Sequence, residues 1–409
     1  MLDLIVFGAT GFTGELVAAY LQSQVAAGRA LRYGLAGRNA GKLAAVRARI
    51  GAPATLPLFT ADAADAAALQ GLVRQARAIV STVGPYQLHG EKLLQACVDA
   101  GTDYLDLCGE PGWMARMVAR HDDAAHTSGA RIVFSCGFDS LPFDLGVCYV
   151  QQAALRRLGQ PLSRVQGLVV AMKGGFSGGT AASLLATVAA TQRCPEEARL
   201  MADPFALTPP TTHTPGFRGP PQPDDPEARF EPAVNAWSAP FVMAPINTKN
   251  VHRTNALLGH PWGADFVYEE RQLWGAGLDG ELRARGAART ARLQARALAF
   301  APARALIRRF VLPQPGQGPS AAEREAGHYT LRFVGSTPTG LSLGATVHGE
   351  RDPGYGSTSR LLAECAWALV QDTPRSRTAG GVWSPGAALG LALLPRLAQY
   401  AGLRFSLDT

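Results

Sequence analysis

An α/β fold is predicted for this chain: a Rossmann-type doubly wound parallel sheet with a second mixed α/β domain. Three observations predict it. The apolar run Leu2–Phe7 leads into Gly8-Ala9-Thr10-Gly11-Phe12-Thr13-Gly14 and then into the helical stretch Glu15–Leu21, which is the strand, tight turn and helix of a dinucleotide-binding fingerprint. Short apolar segments then alternate with helical ones as far as Cys136, as in a parallel sheet covered on both faces. Later, Tyr329–Gly335 and Leu341–Gly349 alternate with period two, as antiparallel strands of a mixed domain do. A chain of 409 residues is long enough for both bodies.

The glycine turn comes first. Gly8, Gly11 and Gly14 turn the chain, let backbone approach a pyrophosphate and let the helix pack on the sheet. The helix start offers unpaired N–H groups and a partial positive charge to phosphate. Thr10, Phe12 and Thr13 complete the candidate cradle. The spacing G-x-x-G-x-x-G is a variant of the better-known fingerprint, and the bland alternative is a bare strand–helix turn.

Tyr33–Ala36 reads as a second strand ending in Gly37-Arg38. An acidic residue at this point bonds a free ribose 2′-hydroxyl, whereas arginine accommodates a 2′-phosphate. No Asp or Glu lies between Val17 and Phe59, so Arg38, supported by Lys42, points to NADP(H); a solvated arginine is the alternative. Leu56–Thr60 is a third strand. Asp62 beyond it either meets the adenine edge or caps a helix over Ala63–Arg74.

Ala78–Val83 is a largely apolar fourth strand, with Val83 at its carboxyl end and Gly84, Pro85 and Tyr86 following. Ligands bind at that edge, where strand order reverses, so these residues are candidates beside a nicotinamide. His89-Gly90-Glu91 opens a helix to Ala100. Asp103–Leu107 and Arg131–Cys136 are further strands, followed by Cys108-Gly109-Glu110 and Gly137-Phe138-Asp139-Ser140 on the same edge. Asp139 or Ser140 can cap the helix that Pro142 helps to start. The nucleotide domain is expected over residues 1–160.

A mixed domain over 161–356 begins with the strand Val165–Lys173, the glycine-rich turn Gly174–Thr180 and the helix Ala181–Arg193. A proline-crowded stretch over 204–245 reads as an irregular loop or lid. Arg285, Arg289, Arg292 and Arg296 recur at helical spacing among Leu282, Leu293, Leu298 and Phe300, with Arg304, Arg308 and Arg309 beyond. This stripe is either a solvated face or a contact for an acidic carrier protein or anionic lipid. Leu312–Pro319 is dense in breakers. Over 357–409 the helices Ser359–Val370 and Ala387–Tyr400 are expected to pack back on the nucleotide domain, the second starting after Ser384-Pro385. Thr378–Pro395 carries no charge, but it is glycine-rich and too short in its dense apolar part to span a membrane.

Net charge is +7 with a pI near 9.3, which favours phosphorylated or acidic partners. The basic residues lack the interleaved aromatics or motifs of nucleic-acid binding. Six scattered cysteines without a C-x-x-C pair argue for reduced thiols in the cytoplasm and against a metal site. No secretory leader is expected before the first strand, since no basic stretch followed by an apolar core precedes it. The stripe leaves peripheral membrane association open.

Where a cofactor supplies hydride, the protein orients the reactants, polarises the acceptor and supplies a proton. Tyr86 is the first candidate for that last task, followed by Asp139 and Ser140, with His89 as an alternative. Each has a plainer role available: Tyr86 as a pocket wall, Asp139 as a cap, His89 as a local hydrogen-bonding group. Cys108 and Cys136 share the edge, where a buried structural thiol is the commoner case.

Gly8–Gly14, Ala36-Gly-Arg38, Ser81–Tyr86, Gly101–Glu110, Gly137–Pro142 with Asp144-Leu-Gly146, Ser177–Thr180, Pro315–Pro319 and Asp352–Tyr355 together resemble the saccharopine dehydrogenase-like oxidoreductases, in particular the trans-acting enoyl reductase branch. The resemblance implies an NADP(H)-binding domain, a mixed α/β domain and reduction of a carbon–carbon double bond in acyl chains held on a polyketide synthase. A saccharopine-type site must hold several carboxylates, which calls for clustered arginines. The loops Gly84–Gly90, Cys108–Gly112 and Gly137–Pro142 contain no arginine or lysine, which suits an acyl or isoprenoid-like substrate better. The expected function is an NADPH-dependent oxidoreductase of that kind. The alternatives are a reductase acting on an imine or carbonyl, and a non-catalytic nucleotide-binding protein at membranes or lipid bodies.

Overall fold

The computed structural model describes residues 1–174, 178–208, 219–310 and 318–408. Its first part runs β1 (Leu2–Phe7), α1 (Phe12–Ala26), β2 (Tyr33–Gly37), α2 (Ala40–Arg49), β3 (Leu58–Thr60), α3 (Ala66–Val73), β4 (Ala76–Ser81), α4 (Tyr86–His89), α5 (Glu91–Ala100), β5 (Asp103–Leu105), α6 (Pro111–Ser128), β6 (Arg131–Val133) and α7 (Leu141–Leu158). The second part runs β7 (Arg164–Lys173), α8 (Gly178–Arg193), α9 (Pro195–Ala202), β8 (Arg229–Glu231), β9 (Ala236–Pro240), α10 (Ala244–Leu257), β10 (Val267–Gly275), α11 (Gly277–Ala299), α12 (Ala301–Phe310), α13 (Ala321–Ala326), β11 (His328–Ser336) and β12 (Ser342–Glu350). The chain then forms α14 (Thr358–Gln371), β13 (Gly381–Trp383), α15 (Pro385–Leu389) and β14 (Leu403–Leu407).

The first sheet has the order β13-β6-β5-β4-β1-β2-β3 with every neighbouring pair parallel. Alternation along β1 explains its two covered faces. Leu4 and Val6 pack with Val17, Leu21 and the α14 residues Leu361 and Leu362, while Ile5 and Phe7 pack with Leu69, Leu94 and Trp113. The order reverses between β1 and β4, so the turns after these strands flank a ligand crevice.

The second sheet, β14-β12-β11-β7-β10-β9-β8, is mixed. Only its β7–β10 pair is parallel. Helix α7 ties the two sheets together. Phe143 stacks on Phe241 with ring centroids 5.5 Å apart, and Gly146 leaves so little room that a Cβ there would lie 2.2 Å from the Phe333 ring. On the other side α14 packs on α1 through the buried Glu364, which accepts from Tyr20 Oη at 2.6 Å, Arg29 at 2.6 Å and Arg396 at 2.8 Å.

Several elements differ from the sequence reading. The proline-rich stretch is not irregular throughout: it contains β8 and β9, whose Phe230 and Trp237 pair across the strands with centroids 5.8 Å apart. Of these β8 is the edge strand; Pro232 follows it and Pro240 ends β9, so no proline falls inside either strand; residues 209–218 lie outside the described part. Ala387–Tyr400 is not one helix. It breaks at Gly390, where φ is +59°, into short helical turns. The residues just before it form β13, which extends the parallel sheet beside β6, while β14 closes the other sheet beside β12. Gly175–Ser177 and Leu312–Gln317 of the motifs noted above lie outside the described residues.

Candidate active site

The glycine turn is held from three sides. Gly8 has φ +88°, and a Cβ on it would meet Val83 at 2.6 Å and Thr82 Oγ1 at 2.8 Å. A Cβ on Gly14 would lie 2.2 Å from the Gly8 carbonyl oxygen, so the third glycine is what lets α1 sit on the turn. Gly11 donates its N–H to that same carbonyl at 2.9 Å and occupies the N-cap position with no side chain to cap the helix. Phe12 lies edge-on to Tyr355 at 4.7 Å, and Glu15 in the first turn pairs with Arg49 at 2.7 Å. An uncapped helix start beside a turn with no room for a Cβ is the form a pyrophosphate requires, so the residues present fit a dinucleotide.

Thr10 lies beside Gly37, at 3.5 Å from where a Cβ would be, which brings the first turn against the end of β2. Arg38 follows there, exposed and with no ion pair among the described residues. Asn39 caps α2 by accepting the Lys42 N–H at 2.8 Å, which leaves the exposed Lys42 one turn from Arg38. Asp62 is exposed beyond β3 and accepts the Ala64 N–H at 2.8 Å. It does not cap the following helix: Asp65 does, through the N–H groups of Ala67 and Ala68.

After β4 the chain carries Val83, Gly84 and Pro85 along the edge and then turns inward. Tyr86 is 5% exposed; its hydroxyl donates to the Ser81 carbonyl at 3.1 Å and accepts the Leu107 N–H at 3.2 Å. Burial, reinforced by the Asp106 carboxylate, holds that phenol well above its usual range. The expectation of a proton donor at the sheet edge is not met by this orientation: the chain leaves β4 after Ser81, and the Tyr86 ring lies beside Trp113, 5.8 Å away, with its hydroxyl engaged by main-chain groups. Glu110 fixes the turn: its carboxylate accepts the N–H groups of Tyr86 at 2.8 Å and Gln87 at 2.9 Å, and Ser183 Oγ of α8 at 2.7 Å. His89 lies exposed at the end of α4, away from these contacts.

After β6, Asp139 is half-buried in the turn and Ser140 is buried. Ser140 sits at the N-cap of α7, yet its hydroxyl does not cap; it donates to Asn247 Oδ1 at 3.0 Å and accepts from Asn250 at 3.1 Å. Asn247 in turn donates to Glu270 at 2.9 Å, as does Tyr268 Oη at 2.9 Å. Burial raises the Glu270 carboxyl to about 8 and that of Asp144, which accepts the Gly386 N–H at 2.7 Å, to about 7. Sequence reasoning missed α10 and this network. The buried side of α10 carries Asn247, Asn250, Arg253 and Thr254, so no apolar periodicity marked the helix.

Asp106 was missed too. Its buried carboxylate accepts the Cys108 N–H at 2.9 Å, the Ser135 N–H at 3.0 Å and Tyr104 Oη at 3.0 Å, joining the turns after β5 and β6. The thiols of Cys108 and Cys136 are pushed up by burial, which makes them structural. No cluster of His, Cys, Asp and Glu that fits a metal ion occurs among the described residues, and no helix there is long and apolar enough to cross a membrane.

Residues 4–133 match the saccharopine dehydrogenase NADP-binding domain family. A Mycobacterium tuberculosis protein, provisionally named a trans-acting enoyl reductase, is 41% identical over 97% of this chain and 95% of its own length. A trans-acting enoyl reductase of Mycobacterium ulcerans is 36% identical over 97% of this chain and 96% of its own. Among solved structures, apo saccharopine dehydrogenase (L-Glu forming) of Saccharomyces cerevisiae aligns over 100% of both chains at a TM-score of 0.54 and 12% identity, a likeness of fold. The chain is an NADP-dependent oxidoreductase and belongs to the saccharopine dehydrogenase-like family, in its trans-acting enoyl reductase branch.

Proposed function

We propose that this oxidoreductase reduces the carbon–carbon double bond of an acyl chain presented as a thioester on a carrier. The reading rests on one feature of the cleft. Its three edge loops, Gly84–Gly90, Cys108–Gly112 and Gly137–Pro142, carry no arginine or lysine, and the half-buried Ile246 lies against Gly109 of the second loop. A substrate with several carboxylates would meet no bidentate partner on these loops, whereas an uncharged acyl chain needs none. The enoyl reductase relatives are consistent with this choice.

NADPH supplies a hydride when bound. Gly8, Thr10, Gly11, Phe12, Thr13 and Gly14 would hold its pyrophosphate, Arg38 and Lys42 would hold the 2′-phosphate, Asp62 would border the adenine, and Val83, Gly84 and Pro85 would wall the nicotinamide. Glu110 keeps that wall in place by tying down the N–H groups of Tyr86 and Gln87. Reduction adds hydride to the carbon beta to the thioester; the double-bond electrons move onto the carbonyl oxygen and return to capture a proton at the alpha carbon. Asp139, half-buried in the turn after β6, delivers that proton and is recharged from solvent. Ser140 positions this turn through Asn247 and Asn250.

The test is NADPH consumption with an enoyl thioester, compared with an amino acid plus a 2-oxo acid. Consumption with the first alone supports the reading; consumption with the second alone overturns it. Asp139→Asn is expected to lower kcat about a hundredfold with NADPH affinity unchanged. Unaltered turnover in that variant removes Asp139 from the chemistry.

A further inference from the structure

Helix α11 has one face to spare. Gly280, Ala284 and Ala288 are its buried residues, and the helix packs against β9 and β10. On another side, Leu278, Leu282, Arg285, Arg289, Leu293 and Arg296 follow one another in steps of three or four residues, which places them in one line along the helix. The three leucines are 70%, 60% and 55% exposed. Arg285 pairs with Glu281 at 2.6 Å, whereas Arg289 and Arg296 make no ion pair among the described residues. Exposed Phe300 and Leu306 continue the apolar surface onto α12.

This surface connects to the cleft. At the junction of α11 and α12, Gln192 of α8 donates to the Ala299 carbonyl and accepts from Arg304 at 2.7 Å. Nearer the other end of α8, Ser183 donates to Glu110, which holds the turn beside the nicotinamide wall. At the helical rise, Gln192 and Ser183 are about 14 Å apart along one rigid element.

Building on the carrier-bound reading above, we propose that the Leu278–Arg296 line of α11 is the docking face for an acidic, helical carrier domain, from which the thioester arm reaches the cleft along α8. Charge and pattern select this occupant. A helix that lies in a lipid surface keeps its apolar side chains on one face and its cations on the opposite one. Here leucines and arginines alternate on the same face, and the sheet takes another. Such interleaving fits a partner helix whose carboxylates meet the arginines and whose apolar residues meet the leucines.

The experiment uses the full chain and an isolated acidic acyl-carrier domain loaded with an enoyl thioester. Its Kd is measured by calorimetry for the wild type, for R289E/R296E and for L293D, beside turnover of a small, carrier-free enoyl thioester. The expected result is a Kd weakened about tenfold or more in both variants, greater wild-type affinity at low salt, and carrier-free turnover within about twofold of wild type. An unchanged carrier Kd overturns the proposal. So does loss of binding to anionic phospholipid vesicles with the carrier Kd intact, which assigns the face to lipid. A wild-type dimer split by L293D with the carrier Kd intact assigns it to a second copy and overturns the proposal as well. Absence of turnover on every enoyl thioester refutes the function proposed above, while the carrier Kd still decides the docking face.

Discussion

Ser183 Oγ donates to Glu110 Oε1 at 2.7 Å, joining the helix after the first strand of the second sheet to the carboxylate that holds the turn after the fourth strand of the first. The same carboxylate already holds two main-chain N–H groups, so three donors from two parts of the molecule depend on one side chain. Glu110→Ala leaves the buried Tyr86 N–H without its partner. Loss of hydrogen bonds to a charged group predicts a stability loss of about 3 kcal/mol, together with weaker NADPH binding, because the nicotinamide wall loosens. Denaturant unfolding and fluorescence titration with NADPH check the two effects. Ser183→Ala, which removes one donor only, is expected to cost about 1 kcal/mol.

Gly14→Ala tests the cradle itself. The added methyl carbon would lie 2.2 Å from the Gly8 carbonyl oxygen, so α1 must shift off the turn. Overpacking of this kind costs about 1–3 kcal/mol, and the shift separates the helix start from the phosphate position. NADPH affinity is expected to fall more than stability does. Equal behaviour of the wild type and the variant in a thermal-shift titration with NADPH would contradict the assignment.

Arg38→Asp addresses cofactor choice. The guanidinium is exposed at the end of β2 with Lys42 nearby, and it has no carboxylate partner among the described residues to lose. Removing a charge-assisted contact to the 2′-phosphate is expected to weaken NADPH binding about tenfold or more. The new carboxylate can bond a free 2′-hydroxyl, so NADH binding holds or improves. Parallel losses for both cofactors would contradict a 2′-phosphate role.

The buried carboxyl network gives a pH signature. Burial raises Glu270 to about 8 in the folded chain, from an ordinary carboxyl value near 4.5. Between these values the folded state holds a proton that the unfolded state has released, so stability falls as pH rises through that window. Glu270→Gln keeps an amide in place of the protonated carboxyl and removes this dependence. The midpoint of thermal unfolding, followed from pH 5 to pH 8 (about this range), is expected to decline less in the variant than in the wild type. Superimposable slopes would contradict the assignment.

How far the sequence reveals the site depends on whether a residue's role is set locally. The tight turn of Gly8, Gly11 and Gly14 was legible because a strand end and a helix start fix what those positions can do. The side chain of Tyr86 was not. Its direction is set by Glu110 and by the Leu107 N–H, residues 24 and 21 positions away. Helix α10 escaped notice because its buried face is polar, satisfied by Ser140, Glu270 and Ser384 from three other segments. Strands β13 and β14 are short and exist through their distant partners Arg131–Val133 and Ala345–Gly349. The basic stripe of α11 was visible in the sequence, but its leucines could be placed on the same exposed line only once Ala284 and Ala288 were known to face the sheet.

The most direct measurement follows the hydride. The enzyme is incubated with an enoyl thioester and NADPH deuterated at the transferring carbon of the nicotinamide, and the product is analysed by mass spectrometry and NMR. The account predicts one deuterium on the carbon beta to the thioester and a solvent-derived proton on the alpha carbon. Deuterium absent from the acyl chain, but found in the product of an amino acid and a 2-oxo acid under the same conditions, would contradict it.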